Sequence, residues 1–287
     1  MDRDTRLAAM DWLAQRTPAV VVEIVQARGS APRGAGTRML VSAVHAVGTI
    51  GGGHLEWKAL ATARAMLAAR DPAPRREHYA LGPALGQCCG GAVDLDYVPL
   101  DDSAIARWPA GAPLMHLQMH GAGHVGHAIA TLLTTLDVRL DWFDERDDAF
   151  PPATTLGTPW PDNVRRHVVQ GAEGEVAAAP PGAFFLVLTH DHALDLRIAE
   201  AALRRDDAAF VGVIGSKSKR ARFRHRLAQR GLDEARVDRM QCPVGLPGID
   251  GKAPEVIALA VVAQLVQLAA PRAATISPDG PRLRTTA

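Results

Sequence analysis

The spacing of hydrophobic and polar positions along this chain changes period several times, and each change predicts an element. Residues Arg3–Gln15 bring Leu7, Met10, Trp12 and Leu13 to one side of a helix, and Pro18 ends it. Ala19–Val25 is a β-branched, almost wholly apolar run and reads as a strand, as do Thr37–Val41 and Ala46–Ile50. A helix is predicted from about Leu55 to Ala69. Pro72 and Pro74 then break the chain, His78–Leu81 is a short strand candidate, and Ala92–Val98 alternates like a half-buried strand.

From Leu114 the pattern becomes one of strands alternating with helices. An apolar run leads straight into Gly121-x-Gly123-x-x-Gly126, with a helix over Gly126–Leu136 and a strand over Val138–Phe143. Val164–Val169 reads as a third strand. Ala183–Leu188 is apolar throughout, as in parallel strands buried on both faces. Helix His192–Arg205, strand Phe210–Ile214, helix Arg220–Arg230 and helix Pro254–Leu268 complete the series. The expected fold class is α/β: an N-terminal mixed α/β domain over 1–105, and a C-terminal Rossmann-like, doubly wound parallel sheet over 113–270. The polar, proline-bearing stretch Pro99–Pro113 reads as the connection, with 106–112 as the linker. The tail 271–287 is expected to be disordered.

Composition narrows the function classes. A length of 287 residues suits two domains. A net charge of +1 gives no overall field toward nucleic acid or a membrane surface, and neither is expected as a partner. The densest basic stretch, Lys217 to Arg230, reads as the charged face of a helix. The first residues are charged, and Ala19–Val25 is far shorter than the ~20 residues of a membrane span, so neither a secretory signal nor an anchor is expected. Three cysteines make no disulfide framework, and a reducing, cytoplasmic setting is expected.

The candidate chemistry sits in loops. Gly121, Gly123 and Gly126 form a dinucleotide-type fingerprint: one glycine for the tight turn, one for backbone approach to a phosphate, one for helix–strand packing. Asp144 ends the next strand, where an acid hydrogen-bonds a ribose diol and repels a 2′-phosphate; it is alternatively a solvated acid of the cluster Asp144–Asp148. Gly51, Gly52 and Gly53 precede a helix start carrying His54 and Glu56, which makes a second anion cradle or a tight turn with an acid at the helix dipole. Cys88 and Cys89 lie in a glycine loop and are candidates for a soft metal or sulfur chemistry, or two small core residues. His190, Asp191 and His192 follow the most apolar strand, at the end where such sheets place ligands, and Asp191 also suits a helix cap. Lys217 and Lys219 follow the next strand, where they either meet the same anion or are solvated.

Taken together, the stretches Gly29–Met39, Gly48–Glu56, Leu85–Gly91, Gly121–Gly126, Leu188–His192, Gly212–Lys217 and Pro243–Ile249 resemble the XdhC/CoxI family, in order and across nearly the whole chain. The resemblance implies a chaperone without turnover of its own, which binds molybdenum cofactor, shields it during sulfuration and delivers it to xanthine dehydrogenase. It implies as partners that apoenzyme and a NifS-type cysteine desulfurase, and a homodimer is expected. Some relatives carry Cys where this chain has His54, which shifts the metal-contact role to Cys88 and Cys89. The fingerprint loop would then take the pterin's phosphate. The alternative is an NAD-dependent oxidoreductase that uses the fingerprint and Asp144, with His190 or His192 as proton donor.

Overall fold

Apolar residues on both sides of one strand explain the N-terminal unit. In the computed structural model, which describes residues 2–69, 73–81, 90–108 and 113–270, the chain divides into two compact units, 1–112 and 113–287. In the first, β1 (Ala19–Arg28) is central in the antiparallel order β3-β2-β1-β5-β4, with β2 Arg38–Ser42, β3 Ala46–Gly48, β4 Arg75–Ala80 and β5 Ala92–Pro99. Val20, Val22 and Ile24 pack with Leu55, Ala59, Ala63 and Met66 of α2 (Gly53–Ala68). Their neighbours Ala19 and Val21 pack with Ala9 of α1 (Asp2–Ala14) and with Trp108. A run apolar from Ala19 to Val22 and again at Ile24 is what burial on both faces requires.

The stretch read as the connection is partly structured. Asp101 accepts a hydrogen bond from the Ala104 amide at 2.7 Å and caps a short helix, α3 (Asp102–Arg107). Trp108 is 2% exposed, under the Arg38 guanidinium. Six residues hold too little periodicity to stand out from a polar loop. Residues 109–112 and the tail 271–287 lie outside the described residues.

The second unit is a parallel sheet in the order β11-β10-β9-β6-β7-β8. Its strands are β6 His116–His120, β7 Arg139–Asp144, β8 Val164–Val168, β9 Phe184–Val187, β10 Phe210–Val213 and β11 Met240–Gln241. Numbered from β6, this is the order 3-2-1-4-5-6 of a doubly wound dinucleotide-binding sheet. The helices α4 (His124–Leu133) and α8 (Pro254–Ala269) cover one face, and α5 (His192–Arg204), α6 (Lys217–Gln229) and α7 (Glu234–Asp238) the other. Within β9, Phe184 and Leu186 belong to the first core and Phe185 and Val187 to the second. Helix α6 starts three residues earlier than its apolar pattern suggests, because the Ser216 side chain accepts from the Lys219 amide and fixes the start. Among the described residues no helix is long and apolar enough to cross a membrane.

Candidate functional site

In the first unit the triple glycine is explained by its backbone. Gly51, Gly52 and Gly53 have φ of +123°, +76° and +64°, which side chains adopt only with strain. A Cβ on Gly51 would also lie 2.6 Å from Pro32. Glu56 then turns back on the loop and accepts hydrogen bonds from the amides of Ile50 (3.1 Å) and Gly52 (3.0 Å) and from the Thr49 hydroxyl. This corrects the expectation that Glu56 and His54 face a common ligand. The carboxylate is itself the anion at this helix start, and it takes two of the amides a cradle would offer. His54 is exposed and stacked on Trp57, itself 63% exposed, with centroids 5.4 Å apart. Cys88 and Cys89 lie outside the described residues.

In the second unit, the sheet is extended on one side of β6 by β7 and on the other by β9. The crevice beyond the carboxyl ends of β6 and β9 is where such sheets hold ligands. Two fingerprint glycines are demanded by packing. Gly121 has φ +120°, and a Cβ there would sit 2.4 Å from the Leu188 carbonyl oxygen; on Gly126 it would sit 2.4 Å from that of Gly121. Gly123 differs, since a Cβ there meets nothing within 4 Å. It is the N-cap of α4 and has no side chain to close that helix start, so the backbone face is open where an anion is best accommodated.

Asp144 serves this loop from within. Its carboxylate accepts from the Ala122 amide at 2.7 Å, the Arg146 amide at 3.0 Å, and Arg146 Nε and Nη2 at 2.9 and 3.0 Å. Burial alone would raise the Asp144 carboxyl, but these bonds bring it below its ordinary value. The acid expected to meet a ribose is thus a strut between β7 and the glycine loop, with Arg146 across both oxygens. His190 lines the crevice with Asp144, Glu145, Thr189 and His120. Asp191 caps α5, accepting from the Ala193 amide at 2.7 Å, and His192 is the first residue of that helix. The structure therefore brings together Gly121, Gly123, Gly126, Asp144 and His190. Among the described residues no group of three His, Cys, Asp or Glu side chains could hold a metal ion.

Two residues escaped the sequence reading, and a third is placed differently from its expectation. His120 is fully buried at the end of β6, and neither ring nitrogen has a hydrogen-bond partner. Burial lowers its pKa to about 3, so the ring is neutral, and it stacks on Phe143. Asp195 is fully buried and accepts from the Thr189 amide (2.9 Å) and hydroxyl (2.7 Å). It also pairs with Lys219 Nζ at 2.6 Å, and that ammonium in turn donates to the Ile214 carbonyl at 2.8 Å. Lys219 is 6% exposed, so the expectation that it is solvated or meets a ligand anion is corrected. The available signals were an imidazole in an apolar strand immediately before the first glycine, and an acid between Leu194 and Leu196.

Comparison with known proteins bears on these features. A family model described as the XdhC Rossmann domain matches residues 117–265, and one described as the XdhC and CoxI family matches residues 12–80. Uncharacterized protein YqeB of Escherichia coli K12 is 30% identical over 264 residues, covering 88% of this chain and 44% of that protein. The chain thus spans less than half the length of that relative. A crystal structure from Bacillus halodurans, described as a xanthine dehydrogenase, superposes with a TM-score of 0.74 at 22% identity, over 96% of this chain and 98% of that one. At that identity the likeness is one of fold.

Proposed function

The chain belongs to the XdhC and CoxI family, and from that premise we propose that it is an accessory protein whose cargo is the molybdenum cofactor. It receives the cofactor, encloses it during sulfuration by a NifS-type cysteine desulfurase, and passes it to a xanthine dehydrogenase apoenzyme. The single observation that carries this reading is the open backbone face at Gly123, at the N-terminus of α4 and next to a buried histidine with no partner. A glycine there and two packing-bound glycines beside it leave room for a phosphate at one point of the loop. A pterin bears such a phosphate.

In this reading the loop amides from Gly123 onward hold the phosphate, Asp144 fixes the Ala122 amide, and His120 and Thr189 line the space beside it. The cargo's own dithiolene–metal centre supplies the redox chemistry once it reaches the apoenzyme. Cys88 and Cys89 are proposed as metal-binding thiols, as the family resemblance implies.

The test is anaerobic incubation of the protein with released cofactor, followed by gel filtration and pterin fluorescence. About one cofactor per chain is expected, and the same column reads the proposed homodimer. Gly123→Val should fold and lose the cofactor. Steady NADH production from purines by the isolated chain would overturn the carrier reading in favour of the oxidoreductase.

A further inference from the structure

The carboxyl ends of β10 and β11 frame a separate cavity of about 800 Å³, within the ~300–1,000 Å³ of small-molecule sites. It is separated from the fingerprint strand by β9. Its lining divides by chemistry. One wall is apolar, formed by Ile214, Val244, Leu246, Ile249 and Ile257. The other is the start of α6, with Gly215, Lys217 and Arg220.

The charges on that second wall are poorly placed for an empty protein. Lys217 is the first residue of α6 and Arg220 lies three further on, so two cations share one side of the helix. Both stand at the positive end of the helix dipole, where cations are disfavoured. Neither has an ion-pair or side-chain hydrogen-bond partner among the described residues. The first helical hydrogen bond runs from the Arg220 amide to the Ser216 carbonyl, so the amides of Lys217 and Ser218 also lack partners within the helix. The one carboxylate in the lining is Asp250, against these two cations.

A dianion would offset all of these costs at once, and the apolar wall opposite specifies what it must be attached to. We propose that this cavity binds an organic phosphomonoester, its phosphate on Lys217, Arg220 and the start of α6 and its apolar body against Ile214, Val244 and Ile257. Lysine supplies a point charge and arginine a planar fork, a pair suited to a phosphate with free oxygens. Occupancy here does not depend on the fingerprint loop.

The experiment titrates the full-length protein with phenyl phosphate by calorimetry, with inorganic phosphate and phenol as the two halves, and maps the site by amide NMR shifts. Phenyl phosphate should bind more tightly than either half and shift the amides of 215–219 and 245–251. The double variant Lys217→Ala/Arg220→Ala should weaken it at least about tenfold, while Gly123→Val should leave it unchanged. The exposed single variant Lys217→Gln should weaken binding in the same direction, and it guards against loss of fold in the double variant. Failure of the parent to bind, equal affinity in both charge variants, or shifts confined to 121–126 would overturn the proposal, the last by assigning the phosphate to the fingerprint loop. Loss of cofactor binding in Gly123→Val with phenyl phosphate binding intact would separate the two sites.

Discussion

His120 carries the sharpest consequence at the scale of one residue. Its folded pKa of about 3 lies below the ordinary 6.5, so the unfolded chain binds the extra proton between these values. Stability from this group is therefore complete above pH 6.5 and is lost as pH falls toward 3, with a slope approaching ~1.4 kcal/mol per pH unit. Asp141 behaves differently. Burial would raise it, but hydrogen bonds from His116 and His167 hold it at about 2, so its contribution is lost only as pH falls from its ordinary 3.8. The interval from pH 6.5 to about 4 thus separates His120 from Asp141. Chemical unfolding at pH 7 and pH 5 should show His120→Phe to be less pH-sensitive than the parent; equal losses would mean that the ring is solvated. The glycines make a second contrast. Gly121→Ala and Gly126→Ala should each cost about 1–3 kcal/mol, because a methyl meets a carbonyl oxygen, whereas Gly123→Ala should be near neutral. Thermal melts of the three variants check this ranking. The motif itself was legible in sequence because glycine spacing is a local property. That Arg146 would fold back over Asp144 was not, since an acid at a strand end looks the same whether it is free or paired.

At the scale of elements, acids tie strand ends to the helices that follow. Glu56 closes the loop before α2, Asp144 holds the loop before α4, and Asp195 joins the Thr189 turn to Lys219 on α6. The helices and strands were largely readable from period and punctuation. These ties were not, because each depends on a partner brought near by the fold, and an acid in an amphipathic helix ordinarily faces solvent. The Asp195–Lys219 pair has the largest expected effect. Breaking a buried pair by removing one partner costs about 3–5 kcal/mol, because the remaining charge is left uncompensated. Asp195→Ala and Lys219→Ala should each destabilise the second unit by that order. Asp195→Leu/Lys219→Met should recover much of the loss, though the Thr189 turn stays untied. Additive single losses in the double variant, measured by urea unfolding, would show that the two charges do not support one another.

For the whole molecule, the two-domain reading and the doubly wound sheet came from strand–helix alternation. What alternation cannot show is which ligand the crevice prefers, because the same strand order serves nucleotides and other phosphate-bearing molecules. The arrangement around Asp144 supplies a discriminating variant. Removing Asp144 would be uninformative, since its loss frees the Ala122 amide and disturbs the loop for any phosphate. Arg146 is different: it is partly exposed, and its guanidinium occupies both oxygens of the acid that a ribose diol would need. In the intact chain Arg146→Ala should therefore raise affinity for NAD, by up to the ~1.5–3 kcal/mol of a hydrogen bond to a charged group. A pterin monophosphate has no ribose, so its binding should change little. Titrating parent and variant with NAD and with released molybdenum cofactor measures both effects. The carrier reading expects weak NAD binding in the parent that improves in the variant, against cofactor binding that is steady in both. Tight NAD binding in the parent, unaltered by Arg146→Ala, would show that the Arg146–Asp144 pair opens unaided for a ribose, and the crevice would then be that of a nicotinamide-dependent enzyme.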